Sequence, residues 1–216
     1  MSSSLIQKTI DYVKAELAEA EAGHDWFHIE RVWKTARKIG IEENADLLVV
    51  ELAALLHDIA DSKFHGGDEE IGPRKAGEFL RKAGLEDSIV THVQKIIRFM
   101  SFKATFEEVQ FSSKEMEAVQ DADRLDAIGA IGIARAFTYG GFKNRELYNP
   151  AIPPNLNQSK EEYKNTTAPT INHFYEKLLL LKDKMNTNTA KELATERHEF
   201  MVRFLDEFYG EWEGER

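Results

Sequence analysis

The run Leu52-Ala53-Ala54-Leu55-Leu56-His57-Asp58-Ile59-Ala60-Asp61 sets a histidine and an aspartate side by side in a stretch otherwise too apolar to face water. A helix hydrophobic all round is buried, and a carboxylate stripped of water without a partner is very costly. A metal ion resolves that conflict. Neighbouring helix residues point about 100° apart, yet side chains of different length can converge on one ion between them. Asp61, three residues past Asp58, shares its face. Taken alone, His57-Asp58 reads equally well as a helix C-terminus with a local hydrogen bond.

Two further segments bear on the choice. Upstream lies Gly23-His24-Asp25-Trp26-Phe27-His28-Ile29-Glu30-Arg31-Val32, and downstream Asp121-Ala122-Asp123-Arg124-Leu125-Asp126-Ala127-Ile128-Gly129. The order His28, His57-Asp58, Asp123, each at the edge of an apolar helical pattern, resembles the HD-domain superfamily of metal-dependent phosphohydrolases, whose motif runs H...HD...D. The contexts HDWFHIERV, ALLHDIADSKF and DADRLDAIGAIGIARAF are similar to a group of stand-alone bacterial HD proteins, over nearly the whole chain. The resemblance implies an all-α fold, a single HD-domain helical bundle over residues 1–216, and metal ligation by His28, His57, Asp58 and Asp123.

Length and composition permit this. The 216 residues suffice for one good core, and no stretch reads as a linker, so one domain is expected. Its core covers about residues 20–140 and a C-terminal helical pair about 170–209. A formal net charge of -10 argues against a nucleic-acid surface, which needs a basic patch, but leaves room for a small anionic substrate. Cysteine is absent, which removes disulfides and a thiolate nucleophile. No apolar run approaches the roughly 20 residues that span a bilayer, and Met1-Ser2-Ser3-Ser4 leads into an amphipathic helix. The cytoplasm is the expected compartment, with no membrane partner and with a homodimer allowed.

In chain order, about Leu5 to Ala20 reads as an amphipathic helix. Asp25 is placed to N-cap the next one, which buries Trp26, Ile29, Val32, Trp33, Ala36 and Ile39 and stops at Gly40. His28 by its neighbours reads as a core histidine as well as a ligand. His24 and Asp25 are candidates to support a metal-bound imidazole, which usually gives its other N–H to a carboxylate or carbonyl; for Asp25, capping or pairing with Arg31 is an equal alternative. A helix from about Asp46 to Ala60 delivers His57 and Asp58, and the loop from Asp61 to Gly67 hangs Asp61 and Lys63 at the rim, where solvated loop charge is the plain alternative. Helices follow at about Glu69 to Lys82 and Glu86 to Met100, the latter with Ile89, Val93, Ile96, Ile97 and Met100 inward and His92 on the surface. With no further histidines here to hold a second ion, as two-metal phosphodiesterases of the superfamily do, a single metal is expected.

The helix from about Ser113 to Asp126 bears Asp123, with Asp126 left to capping or to Arg124. A helix from Ala127 to Tyr139, rich in small residues, is expected to be central. Residues 140–170 lose periodicity and form a long loop, a lid or a surface excursion. Two long helices, about Thr170 to Met185 and Ala190 to Tyr209, bring the total to about nine, with Phe174, Leu178, Leu181, Phe200, Phe204 and Phe208 expected in the core.

Two imidazoles and two carboxylates suit one divalent transition metal, manganese, nickel, iron, cobalt or zinc, with magnesium also admitted. Asp61 is the candidate to take a proton from water, and Lys63, Arg98, Lys103, Arg124 and Lys143 are candidates to offset phosphate charge. The resemblance implies hydrolysis of nucleoside triphosphates, preferably deoxy ones, to monophosphate and pyrophosphate. A 5′-nucleotidase, a cyclic-nucleotide phosphodiesterase and a non-enzymatic nucleotide-sensing module stand as alternatives.

Overall fold

The computed structural model describes residues 2–18, 25–60, 68, 70–100, 111–157 and 166–216. Among these the protein is all-α, with nine α-helices and one 3-10 helix. It divides into two compact units, Met1–Asp123 and Arg124–Arg216.

In the first unit the apolar run forms α3 (Leu47–Leu56), with Leu52, Ala53, Ala54, Leu55 and Leu56 wholly buried. Helices α1 (Ser2–Glu16), α2 (Trp26–Glu42) and α5 (Asp87–Phe99) pack against it, and α4 (Ile71–Lys82) pairs with α5. This surround is why α3 has no polar face. α1 contributes Ile6, Ile10 and Val13, three and four residues apart on one face. α2 does not stop at Gly40. It runs on to Glu42, where Asn44 takes a left-handed φ of 55°. Gly40 marks the approach of α2 to its neighbour, since a Cβ there would lie 3.3 Å from Leu47 Cδ2 and from Val50 Cγ2.

α3 is capped by Asp46, whose carboxylate accepts from the N–H groups of Leu48 and Val49. The Asp46 N–H itself donates to Glu115 Oε1 at 2.9 Å, tying α3 to the start of α6 (Lys114–Asp126). Ser113 Oγ accepts from Met116 N and so caps α6. His92, expected on the surface, is half-buried, with Nε2 2.9 Å from Ser113 Oγ and 3.6 Å from Glu115 Oε2. Burial pushes the Glu115 carboxyl up, but hydrogen bonds from Asp46, its own N–H and Ser113, with the His92 charge, outweigh this and hold it below the ordinary range.

The second unit departs further from the expected pattern. α7 (Gly129–Phe142) is not central: Gly129, Gly132 and Gly140 are its buried residues, while Tyr139 is 51% and Phe142 66% exposed. At Gly140 a Cβ would lie 2.1 Å from Thr170 Oγ1, so the small residues serve close local contacts. Among described residues of the following loop, Thr170 N donates to Glu146 O and Ile171 N to Leu147 O, so the ends of the excursion are paired.

The expected helix from Thr170 to Met185 is interrupted. α8 covers Asn172–Glu176, Lys177 leaves the helical region at φ -146°, and a 3-10 helix takes Leu178–Lys184. Three residues per turn put Leu178 and Leu181 on one buried face and leave Leu180 outside. α9 (Asn188–Trp212) closes the chain. Phe137, Phe174, Phe204 and Phe208 form an aromatic cluster with centroids 5.9 to 6.5 Å apart. Phe200, expected inside, is exposed. Asp126 pairs with Arg135 at 2.5 Å.

Candidate metal centre

The motif residues come from three helices of the first unit. His28 sits in the first turn of α2 and is buried. Asp25 caps that turn, its carboxylate accepting from the His28 backbone N–H at 3.0 Å, so the capping alternative for Asp25 is the one observed. α3 ends at Leu56, with His57 as its C-cap and Asp58 in the turn beyond. The expected continuation to Ala60 is absent, and Asp58 is half-buried rather than enclosed. Burial of a lone carboxylate therefore no longer carries the case for a metal.

The histidines carry it instead. His57 Nδ1 lies 2.8 Å from the Ala54 carbonyl oxygen. A carbonyl can only accept, so Nδ1 holds the hydrogen and the neutral ring keeps its lone pair on Nε2. That Nε2 is 3.9 Å from Asp123 Oδ1, and His28 Nε2 is 3.5 Å from the same oxygen. The two rings are inclined at 67° with centroids 5.4 Å apart. A lone pair turned toward a carboxylate is repelled unless a positive charge lies between them.

The donor set fits a metal. Ligand atoms of His28, His57 and Asp58 all lie within 4.8 Å of one another. Donors bound at about 2.1 Å can stand at most about 4.2 Å apart, so both histidine–Asp123 spacings already meet that limit and the wider spacings need to close by only about 0.6 Å. The Asp123 side chain is 41% exposed, which leaves one side of the cluster open. Asp121, two residues earlier, is wholly buried.

The remaining expected residues fall elsewhere or outside the described residues. His24, Asp61, Lys63 and Lys103 lie outside them. Arg98, at the end of α5, pairs with Glu70 at 2.9 Å. In the second unit, the Arg124 guanidinium donates to the Lys184 carbonyl, and the Lys143 ammonium stands 5.0 Å from the Phe142 ring centroid and 5.7 Å from that of Tyr139. The Ala54 carbonyl was not foreseen, because a backbone group three residues before a histidine leaves no mark in side-chain chemistry.

The HD domain family model matches residues 26–128. The chain is 42% identical over 195 residues to the uncharacterized protein YpgQ of Bacillus subtilis (strain 168), covering 90% of this chain and 87% of YpgQ. An HD-superfamily hydrolase from Bacillus thuringiensis superposes with a TM-score of 0.79 at 44% identity, covering 99% of both chains. YpgQ crystallised in complex with ADP superposes with a TM-score of 0.73 at 37% identity, covering 95% of this chain and 97% of that one. The chain therefore belongs to the HD-domain phosphohydrolase superfamily. It is a metal-dependent hydrolase of that superfamily, with a His-His-Asp cluster of the kind that binds a divalent ion.

Proposed function

We propose that the chain hydrolyses nucleoside triphosphates, deoxy forms preferentially, to nucleoside monophosphate and pyrophosphate, with residues 1–216 acting as one domain. One divalent ion is held by His28, His57, Asp58 and Asp123. The observation that carries this reading is the pair of imidazole nitrogens set against one Asp123 oxygen, with His57 fixed in its ligating tautomer by Ala54. The ADP complex of YpgQ supports a nucleotide as substrate.

When bound, the ion supplies Lewis-acid polarisation of a phosphoryl oxygen and a lowered pKa for water. The chain's own residues do the rest. Asp61 accepts a proton from the attacking water, whose oxygen forms a bond to the α-phosphorus while the bond to the β-phosphate bridging oxygen breaks. Pyrophosphate leaves with that electron pair, and the proton passes to it or to solvent. Lys63, with Arg98, Lys103, Arg124 and Lys143 as further candidates, offsets the charge of the β- and γ-phosphates. The absence of cysteine excludes a thiolate nucleophile.

The test is product analysis of one deoxynucleoside triphosphate with Mn²⁺, reading orthophosphate with and without added inorganic pyrophosphatase. Phosphate that appears only with pyrophosphatase is the expected result. Orthophosphate as the sole primary product overturns the reaction class, and turnover of a monophosphate in its place reassigns the enzyme to 5′-nucleotidases.

A further inference from the structure

The start of α4 lies beside the motif, wholly within Met1–Asp123. A Cβ built on Gly72, in the first turn of α4, would lie 3.7 Å from the Ala60 carbonyl oxygen and 3.7 Å from Ile97 Cγ2. Ala60 is two residues past Asp58, and Ile97 immediately precedes Arg98 at the end of α5. Two ion pairs gather here. Arg98 Nε is 2.9 Å from Glu70 Oε1, and the Arg74 guanidinium is 3.1 Å from Asp68 Oδ2. The Glu70 N–H donates to Asp68 Oδ1 at 2.9 Å, so the two acidic residues are themselves joined.

Glu70 uses its charge in an uncommon direction. It occupies the N-cap position of α4, yet its side chain makes no capping hydrogen bond. A carboxylate at that position is favoured by the first-turn N–H groups and the positive end of the helix. This one reaches across to α5 instead. Both members of the pair are about half exposed, and a pair so exposed contributes little to stability, so it exchanges easily. A guanidinium presents the same fork to carboxylate and to phosphate, and a phosphate brings more charge and a third oxygen. The Glu70 carboxylate thus fills the place on Arg98 that a phosphate can take, and once displaced it has its own helix terminus to turn to.

We propose that Glu70 is an internal competing anion, which holds Arg98 in place beside the metal centre until the terminal phosphates of a nucleotide displace it. The proposal rests on the triphosphate reading of that centre. Glu70 then sets selectivity by charge: a monophosphate commits its one phosphoryl group to the ion, whereas a triphosphate still has its β- and γ-phosphates to exchange for the carboxylate.

The test reads binding apart from turnover. The α,β-methylene analogue of deoxyadenosine triphosphate, which cannot be cut at the α–β bridge, is titrated by calorimetry into the full-length protein in excess Mn²⁺, with deoxyadenosine monophosphate as comparator. Glu70→Gln, which removes the charge and keeps the shape, should bind the analogue about threefold tighter or more. Arg98→Gln should bind it roughly tenfold more weakly or worse, and adding Glu70→Gln to that variant should change nothing further. Monophosphate affinity should be the same in all four proteins. Unchanged or weaker binding in Glu70→Gln, equal tightening with and without Arg98, a matching shift for the monophosphate, or no binding of the analogue each overturns the proposal. Orthophosphate as the primary product of hydrolysis would instead defeat the pyrophosphate reading, with these affinities still deciding the role of Glu70.

Discussion

The two units solve the problem of burying helices with different materials. Met1–Asp123 packs aliphatic side chains around α3 and ties polar groups at its helix ends to specific partners: the His28 N–H to Asp25, the His57 ring to the Ala54 carbonyl, the Asp46 N–H to Glu115. Arg124–Arg216 uses large aromatic rings, a broken helix and a loop with paired ends. The aliphatic core around α3 restricts the motif side chains next to it, because a core that dense leaves side chains few alternative rotamers. The aromatic unit lines a pocket with the rings of Tyr148, Tyr175 and Tyr209 and exposes Phe142 and Trp212. Chemistry that needs fixed geometry is thus concentrated in the first unit.

The sharpest way to break this contrast is at the motif. Asp58→Ala should remove bound metal and lower hydrolysis on the order of 10³-fold or more, the scale of several kcal/mol of lost transition-state stabilisation. Elemental analysis and the pyrophosphate assay check this together, and retained metal in that variant would take Asp58 out of the ligand set. The near-ultraviolet signal from the aromatic cluster of the second unit should be unaltered.

Core truncations sharpen the contrast next. Leu55→Ala, wholly buried in α3, should cost about 2 to 5 kcal/mol, and Phe174→Ala, wholly buried in the aromatic cluster, about 3 to 5 kcal/mol. Denaturant unfolding measures both. Leu55→Ala should also weaken metal binding under native conditions, whereas Phe174→Ala should leave it unchanged. Equal loss of metal affinity in the two would mean that both units shape the centre.

Legibility in the sequence follows the same division. Period-3.6 stripes located α1, α2 and α5, because in those helices burial is one-sided and aliphatic, although α1 ends at Glu16 short of the expected Ala20, and in α5 Val90 is buried where Ile89 is only half-buried. Gly40 was misread because glycine serves close approach as well as termination, and a stripe cannot tell the two apart. The end of α3 was misplaced by four residues because Ile59 and Ala60 continue the apolar pattern past the helix. In the second unit, the run of leucines at 178–181 fits a three-residue period as well as 3.6, and Phe200 repeats at four from Phe204 yet faces out. The motif order was readable from residue types; its supports were not, since the Ala54 carbonyl is backbone.

A smaller effect distinguishes the units by pH. His173 in the second unit is held down to about 4, first by burial and then by the nearby Lys177 and Arg145 charges. Its ordinary value is near 6.5, so between these limits the unfolded chain takes up the proton and the folded one does not. Stability should therefore be full above pH 6.5 and fall as pH drops toward 4, by roughly 2 to 3 kcal/mol. Glu115 acts in the same direction lower down, since its depressed carboxyl gives stability that is lost as pH falls through the carboxylate range. Chemical denaturation across pH 4 to 7 separates the two: His173→Gln should flatten the upper part of the curve, and an unchanged slope there would remove His173 from the account.

The smallest effect tests how His28 is supported. Asp25 accepts from the His28 backbone N–H as a helix cap, so Asp25→Ala should cost about 1 kcal/mol, while Asp25→Ser, which can still cap, should cost little. Removing a hydrogen-bond support behind a metal-bound imidazole typically lowers affinity about 10- to 100-fold. If Asp25 only caps, metal affinity in Asp25→Ser stays at the wild-type value, because the first turn of α2 still holds His28 in place. If Asp25→Ser keeps its stability but loses metal affinity by tenfold or more, the carboxylate acts on the centre itself. The divergence of stability from metal affinity in that one variant therefore decides whether the fixity of the first unit at His28 comes from the helix cap or from charge beside the metal.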